Sequence, residues 1–180
     1  MKDSRVEGMS PAIDNPQPPV DNSRKLAIWR ALASVTDPEI PVLSVVDMGL
    51  IAGVMVNEHG VVVDVTPTFS GCPALAVIRS DVQRAVENIG ESHVVVRTVY
   101  DPPWTTDRLT DEGRRKLKAF GLAPPGPRCA ATEMPSLDRV ACPYCDSYQT
   151  ELESIFGPTL CRSIHYCAAC RQSFEHFKTV

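Results

Sequence analysis

The 180 residues contain no apolar run of roughly 18, the length that a membrane-crossing helix requires. Aromatics are scarce at 6%, and there is no excess of positive charge, the formal net charge being -4. The missing positive charge removes the footprint of a nucleic-acid binder and leaves a polyanionic partner without a surface to hold it. The opening stretch MKDSRVEGMSPAIDNPQPPVDN has no apolar middle region, so it does not read as a secretory signal. A soluble, cytoplasmic protein with no nucleic-acid or membrane partner is expected. Cysteine, in contrast, is plentiful. Seven is an odd number, and four of them fall in two CxxC pairs, which in a reducing compartment points to metal rather than disulfides.

Along the chain, residues 1–21 combine Pro11, Pro16, Pro18 and Pro19 with few large apolar side chains and read as a flexible tail. Asn22 or Ser23 is placed to cap a helix to about Val35, with Leu26, Trp29, Leu32 and Ala33 as its buried face. Pro38 and Pro41 stop it. Valine- and isoleucine-rich stretches at 50–56 and 61–66, separated by Asn57-Glu58-His59-Gly60, predict a β-hairpin. Leu75, Ile78, Val82, Val86 and Ile89 recur at helical spacing, and Gly90 closes that helix. A strand over 93–100 and a helix over 111–120, ended by Gly121, complete an α-β-β-α-β-α order within an α+β domain at 22–123. The proline-rich segment 124–140 reads as a linker, and 141–180 as a small second domain.

That second domain carries Cys142, Cys145, Cys167 and Cys170: C-x2-C, a gap, then C-x2-C. Each pair forms a knuckle that aims two sulfurs at one point, and two knuckles supply the tetrahedral sulfur set of a structural zinc ribbon. The site has no open position for water, so it suits a structural role, and a segment this short needs such a staple. Iron also accepts four thiolates, which leaves an iron-sulfur cluster as a second reading. Tyr144, Tyr148, Phe156, Tyr166, Phe174 and Phe177 are expected to cover the knuckles, with Cys161 a small buried hydrophobe and His165 a packing or surface residue. Three basic residues against four acidic ones over 141–180 offer no phosphate-binding surface, and a protein partner fits better.

In TPTFSGCPA (66–74), Pro73 suits a first helical position and puts Cys72 at the cap, where backbone amides and the helix dipole favour a thiolate. Cys72 therefore reads either as a nucleophile or metal ligand, or as a buried capping cysteine, and the residues alone leave both open. No motif places His59 or His93 beside it, so thiol hydrolysis has little support. Asp37, Glu39 and Asp47 lie near prolines and Met48-Gly49, where turn chemistry accounts for them.

DPEIPVLSVVDMGLI (37–51) and TPTFSGCPA together resemble the MIP18-like family, once called domain of unknown function 59. The stretches DPPWTTDRLTDEGRRKLKAFGLAPP (101–125) and CPYC…FGPTLCRSIHYCAAC…FEHFK (142–178) are similar to one branch of it, the D subunits of bacterial phenylacetyl-CoA epoxidase systems. The resemblance implies a non-catalytic accessory subunit in aerobic phenylacetate degradation that assists maturation of an iron-sulfur or di-iron centre. It implies other epoxidase subunits as partners, above all the iron-sulfur flavin reductase, and leaves a homodimer open. By motif it makes Cys72, Asp37, Glu39 and Asp47 the candidates for transient iron or cluster handling, with structural Zn2+ on the four ribbon cysteines. Two alternatives stand beside this: a purely structural subunit of the oxygenase, and an electron-transfer protein with a cluster on the ribbon cysteines.

Overall fold

The computed structural model describes residues 22–126 and 140–178. The expected tail, most of the expected linker and Cys129 lie outside the described residues. Ten regular elements follow in the order α1 (Asn22–Leu32), β1 (Ile51–Asn57), β2 (Gly60–Val65), α2 (Leu75–Glu87), β3 (Val94–Thr98), α3 (Asp111–Phe120), β4 (Leu122–Ala123), β5 (Thr150–Ser154), β6 (Arg162–Cys167) and β7 (Gln172–Phe177), plus one 3-10 turn at Thr106–Arg108. No helix among the described residues is long and apolar enough to cross a membrane.

The first sheet has the order β1-β2-β3. The hairpin β1-β2 is antiparallel, and β3 returns parallel to β2, with α2 as the crossover that parallel pairing requires. Period-2 alternation turns Val61, Val63 and Val65 of β2 inward, and Val94 and Val96 of β3 follow the same rule. Ile78, Val82 and Val86 of α2 lie at helical spacing and join the same core. In α1 the buried face is Ile28 and Leu32, whereas Leu26 is half exposed. Leu32 and the half-buried Trp29 of the expected stripe do face the core, but Ile28, one turn before Leu32, completes that face in place of Leu26 and Ala33, which are exposed.

The second sheet has the order β4-β7-β6-β5. Its edge strand β4 comes from the end of the first stretch: Leu122 and Ala123 pair parallel with Glu175 and His176 of β7. Gly121, at φ 88°, makes the left-handed cap that turns α3 straight into β4, and a Cβ there would meet the Tyr144 ring of the first knuckle. Phe177 is fully buried in the core of the first sheet, where its ring meets Trp104 edge-on at 6.0 Å between centroids. Trp104 is fixed in turn by its indole N–H, which donates to the Met48 carbonyl at 2.9 Å. The ribbon is therefore welded to the α+β unit. Of the six aromatics expected over the knuckles, Phe174 and Phe177 are buried, while Tyr144, Tyr148 and Phe156 are exposed. Apolar area is concentrated at the seam between the sheets, so the core there draws Phe177 away from the knuckles.

Candidate functional site

The four ribbon cysteines converge. Their sulfurs all lie within 4.8 Å of one another, with Cys142–Cys170 and Cys145–Cys167 each at 3.6 Å. A metal held by four sulfurs at about 2.3 Å implies sulfur–sulfur edges of about 3.8 Å, so the quartet fits a tetrahedral ion. The two knuckles are built alike. In each, the residue after the second cysteine adopts a left-handed backbone, Asp146 at φ 59° and Arg171 at φ 60°. Each of these returns its N–H to the carbonyl of the first cysteine, Asp146 to Cys142 at 3.0 Å and Arg171 to Cys167 at 2.8 Å. These closed turns leave amides pointing at sulfur. The Cys170 amide, helped by that of Ala169, draws the Cys167 thiol down to about 7.

Cys72 sits at the seam between the two sheets. The chain turns at 70–74, with the Cys72 amide donating to the Phe69 carbonyl at 3.2 Å, and α2 begins only at Leu75. Cys72 is thus ahead of the cap position that the sequence predicts, which Ala74 occupies. The Leu75 amide donates to the Cys72 carbonyl at 3.3 Å, and the nearby Ala74 and Leu75 amides still favour the sulfur anion, but the acidity of the thiol moves opposite to expectation. Burial pushes it up, Asp37 and Cys161 push the same way, and the two amides only partly offset them. A half-buried sulfur among apolar walls and a carboxylate is held as the neutral thiol.

Asp37, Glu39, Cys72, Cys161, Arg162 and Phe177 share the wall of one small cavity. Asp37 is buried, and its Oδ1 accepts the amides of Glu39 at 2.7 Å and Ile40 at 2.9 Å, which leaves Oδ2 outside that turn. Glu39 is drawn to the ribbon, its carboxylate 3.7 Å from Arg162. Asp47 does not line the cavity. Its Oδ2 accepts from Lys116 at 2.6 Å and from the Ser44 hydroxyl at 2.9 Å, a knot that fastens α3 to the loop before β1. Burial pushes the Asp47 carboxyl up, but the hydrogen bonds from Lys116 and Ser44 outweigh it and hold the group below its usual range. Gly49 beside it is required: at φ 65° an added Cβ would lie 2.2 Å from the Arg108 carbonyl oxygen.

Two residues of the cavity wall, Cys161 and Arg162, have no signal in the sequence that ties them to Cys72. Arg162 is buried, and its guanidinium donates to Glu175 at 2.8 Å and to the Glu39 carbonyl at 3.1 Å. A charged residue opening an otherwise alternating strand is the one local hint. His165, expected to pack or to lie at the surface, is fully buried and stacks on Phe174.

A family model described as "Iron-sulfur cluster assembly protein" matches residues 25–99. Another, described as "PaaD zinc beta ribbon domain", matches residues 126–178. The chain is 38% identical over 153 residues to the D subunit of a putative 1,2-phenylacetyl-CoA epoxidase of Escherichia coli, covering 85% of this chain and 92% of that protein. It is 40% identical over 92 residues to an Fe-S protein maturation auxiliary factor of Porphyromonas gingivalis, covering 50% of this chain and 87% of that protein. Among solved structures, a domain of unknown function 59 from Bacillus anthracis matches with a TM-score of 0.50 at 28% identity, covering 53% of this chain and 92% of that one.

Proposed function

Because the chain belongs to the family of the phenylacetyl-CoA epoxidase D subunits, uniting an iron-sulfur cluster assembly domain with a zinc ribbon, we propose that it assists maturation of an iron-sulfur or di-iron centre in that oxygenase system, the iron-sulfur flavin reductase being the first client to test. Cys72 holds iron or a cluster in passing, and Asp37 and Glu39 shape its surroundings. The observation that carries this reading is the Cys72 cavity: a half-buried thiol in the turn that precedes α2, with the buried Asp37 carboxylate in the same wall. The neutral resting thiol resists adventitious metal, and the nearby Ala74 and Leu75 amides favour the sulfur anion once iron displaces the proton. Asp47 serves as a structural knot in this scheme. The ribbon quartet holds Zn2+, since four sulfurs close the coordination sphere and leave nothing for exchange or catalysis. The similarity of the first domain to an Fe-S protein maturation auxiliary factor supports the same class of role. The ribbon, which exposes Tyr148, Phe156 and Leu160 at its surface, then serves as scaffold and docking face.

Cells carrying Cys72→Ser in place of the wild-type chain test the reading. The reductase purified from them is expected to lack most of its iron and acid-labile sulfide. Full cluster occupancy would leave the chain with a purely structural role.

A further inference from the structure

The role proposed for Cys72 supplies one sulfur, and a single thiol is a poor hold on a metal ion. Cys161 stands across the seam. It follows the turn at 157–160, with Gly157 donating to the Arg162 carbonyl at 2.9 Å and Arg162 returning its amide to Thr159 at 3.1 Å. The Thr159 hydroxyl lies 3.1 Å from the Cys161 sulfur, and the Lys178 amide fixes the Cys161 carbonyl at 2.9 Å. Both thiols pack against the same core, are half-buried, and line one cavity of about 20 Å³ together with Asp37. A space of roughly 10–15 Å³ by the same measure holds one water, so this cavity admits one water or one metal ion but no multi-iron cluster core.

We propose that Cys72 and Cys161 together form a two-thiol site at the seam between the domains, holding a single borderline divalent cation of the Fe2+ class beside the Asp37 carboxylate. This rests on the reading of Cys72 above and narrows it, from iron or cluster on one sulfur to one ion on two. Binding releases one proton from each thiol to water, and the two thiolates neutralise the dication. Arg162 also lines the cavity; its two terminal nitrogens are engaged by Glu175 and Glu39, while its buried Nε makes no hydrogen bond among the described residues. The site is looser than the ribbon quartet, the one set of three or more potential ligands among the described residues whose donor atoms all lie within 4.8 Å. Looseness suits an ion that must leave.

The full chain, its ribbon first filled with Zn2+, is titrated with Co2+ under argon. One further equivalent is expected, with sulfur-to-cobalt charge-transfer absorption that Cys161→Ser cuts to about half and an affinity that falls on the order of 100-fold. Cys72→Ser is expected to do the same. Wild-type binding in Cys161→Ser overturns the pair while the Cys72 reading stands. No further equivalent in the wild type, or unchanged binding in Cys72→Ser, overturns both. To avoid reliance on variants that fold poorly, iron-edge X-ray absorption of the wild-type chain, carrying zinc in the ribbon and one Fe2+, counts sulfurs directly. Two at about 2.3 Å are expected, and one, none or four would overturn the proposal.

Discussion

The guanidinium of Arg162 reaches across the seam to the backbone carbonyl of Glu39 at 3.1 Å, joining residues 123 positions apart in the chain. One ribbon side chain thereby sets the position of the loop that carries Asp37 and Glu39. Its other branch meets Glu175 on the neighbouring strand at 2.8 Å, so the two domains share one buried cation.

Arg162→Met is expected to destabilise the chain by about 2 kcal/mol, since it strands Glu175 and removes a charge-assisted bond from a buried group. The same variant should speed hydrogen exchange at the Glu39 and Ile40 amides, which the Asp37 carboxylate holds only while the loop keeps its shape. Arg162→Lys should not restore stability, because a point charge cannot serve two partners as a planar fork does. Denaturant unfolding and amide exchange check both statements.

Asp47→Asn removes the anion that Lys116 and Ser44 face. A loss of about 2 kcal/mol at neutral pH is expected, the usual scale for hydrogen bonds to a charged group. The sign with pH follows from the depressed carboxyl. The unfolded chain takes up this proton more readily than the folded one, so the wild-type advantage is complete above the usual carboxylate range and disappears as pH falls through the lower folded value. Unfolding of both proteins across the acid range should show the two stabilities converging.

His176 is buried, and desolvation, with His165 and Lys178 adding to it, lowers its pKa from 6.5 to about 4. Between these values the unfolded chain binds a proton that the folded chain refuses. Stability should therefore fall as pH drops through that window, by up to about 1.4 kcal/mol per pH unit from this group. His176→Gln should flatten that portion of the curve relative to the wild type. A difference between the two that does not vary from pH 6.5 to 4 would contradict this account of His176.

Metal removal should reach beyond the ribbon. Phe177 ends the ribbon's last strand and is buried against Trp104. In a Trp29→Phe background Trp104 is the only tryptophan. A strong chelator under reducing conditions is then expected to shift its emission to the red and lower the midpoint of the single unfolding transition, because metal-binding energy in a small ribbon is folding energy. A ribbon that melts without changing Trp104 would mean that the seam is weaker than its packing indicates.

Local rules carry far in this chain. The hairpin, α3 with its Gly121 cap and the α-β-β-α-β-α order follow from period, caps and turn residues, which act within a few positions. The ribbon quartet is equally legible, because C-x2-C spacing alone closes each knuckle. Sequence singles out Cys72 as well, yet it points the acidity of that thiol the wrong way: helix-start amides can be read from Pro73, while the burial that outweighs them comes from the walls of another domain. Nothing local announces that Leu122–Ala123 joins the ribbon sheet, that Phe177 fills the core of the first, or that Cys161 and Arg162 face the loop of Asp37 and Glu39. Those pairings join segments far apart in sequence, and they are decided by where apolar area is buried and where a buried charge finds its partners, which the tertiary structure alone determines.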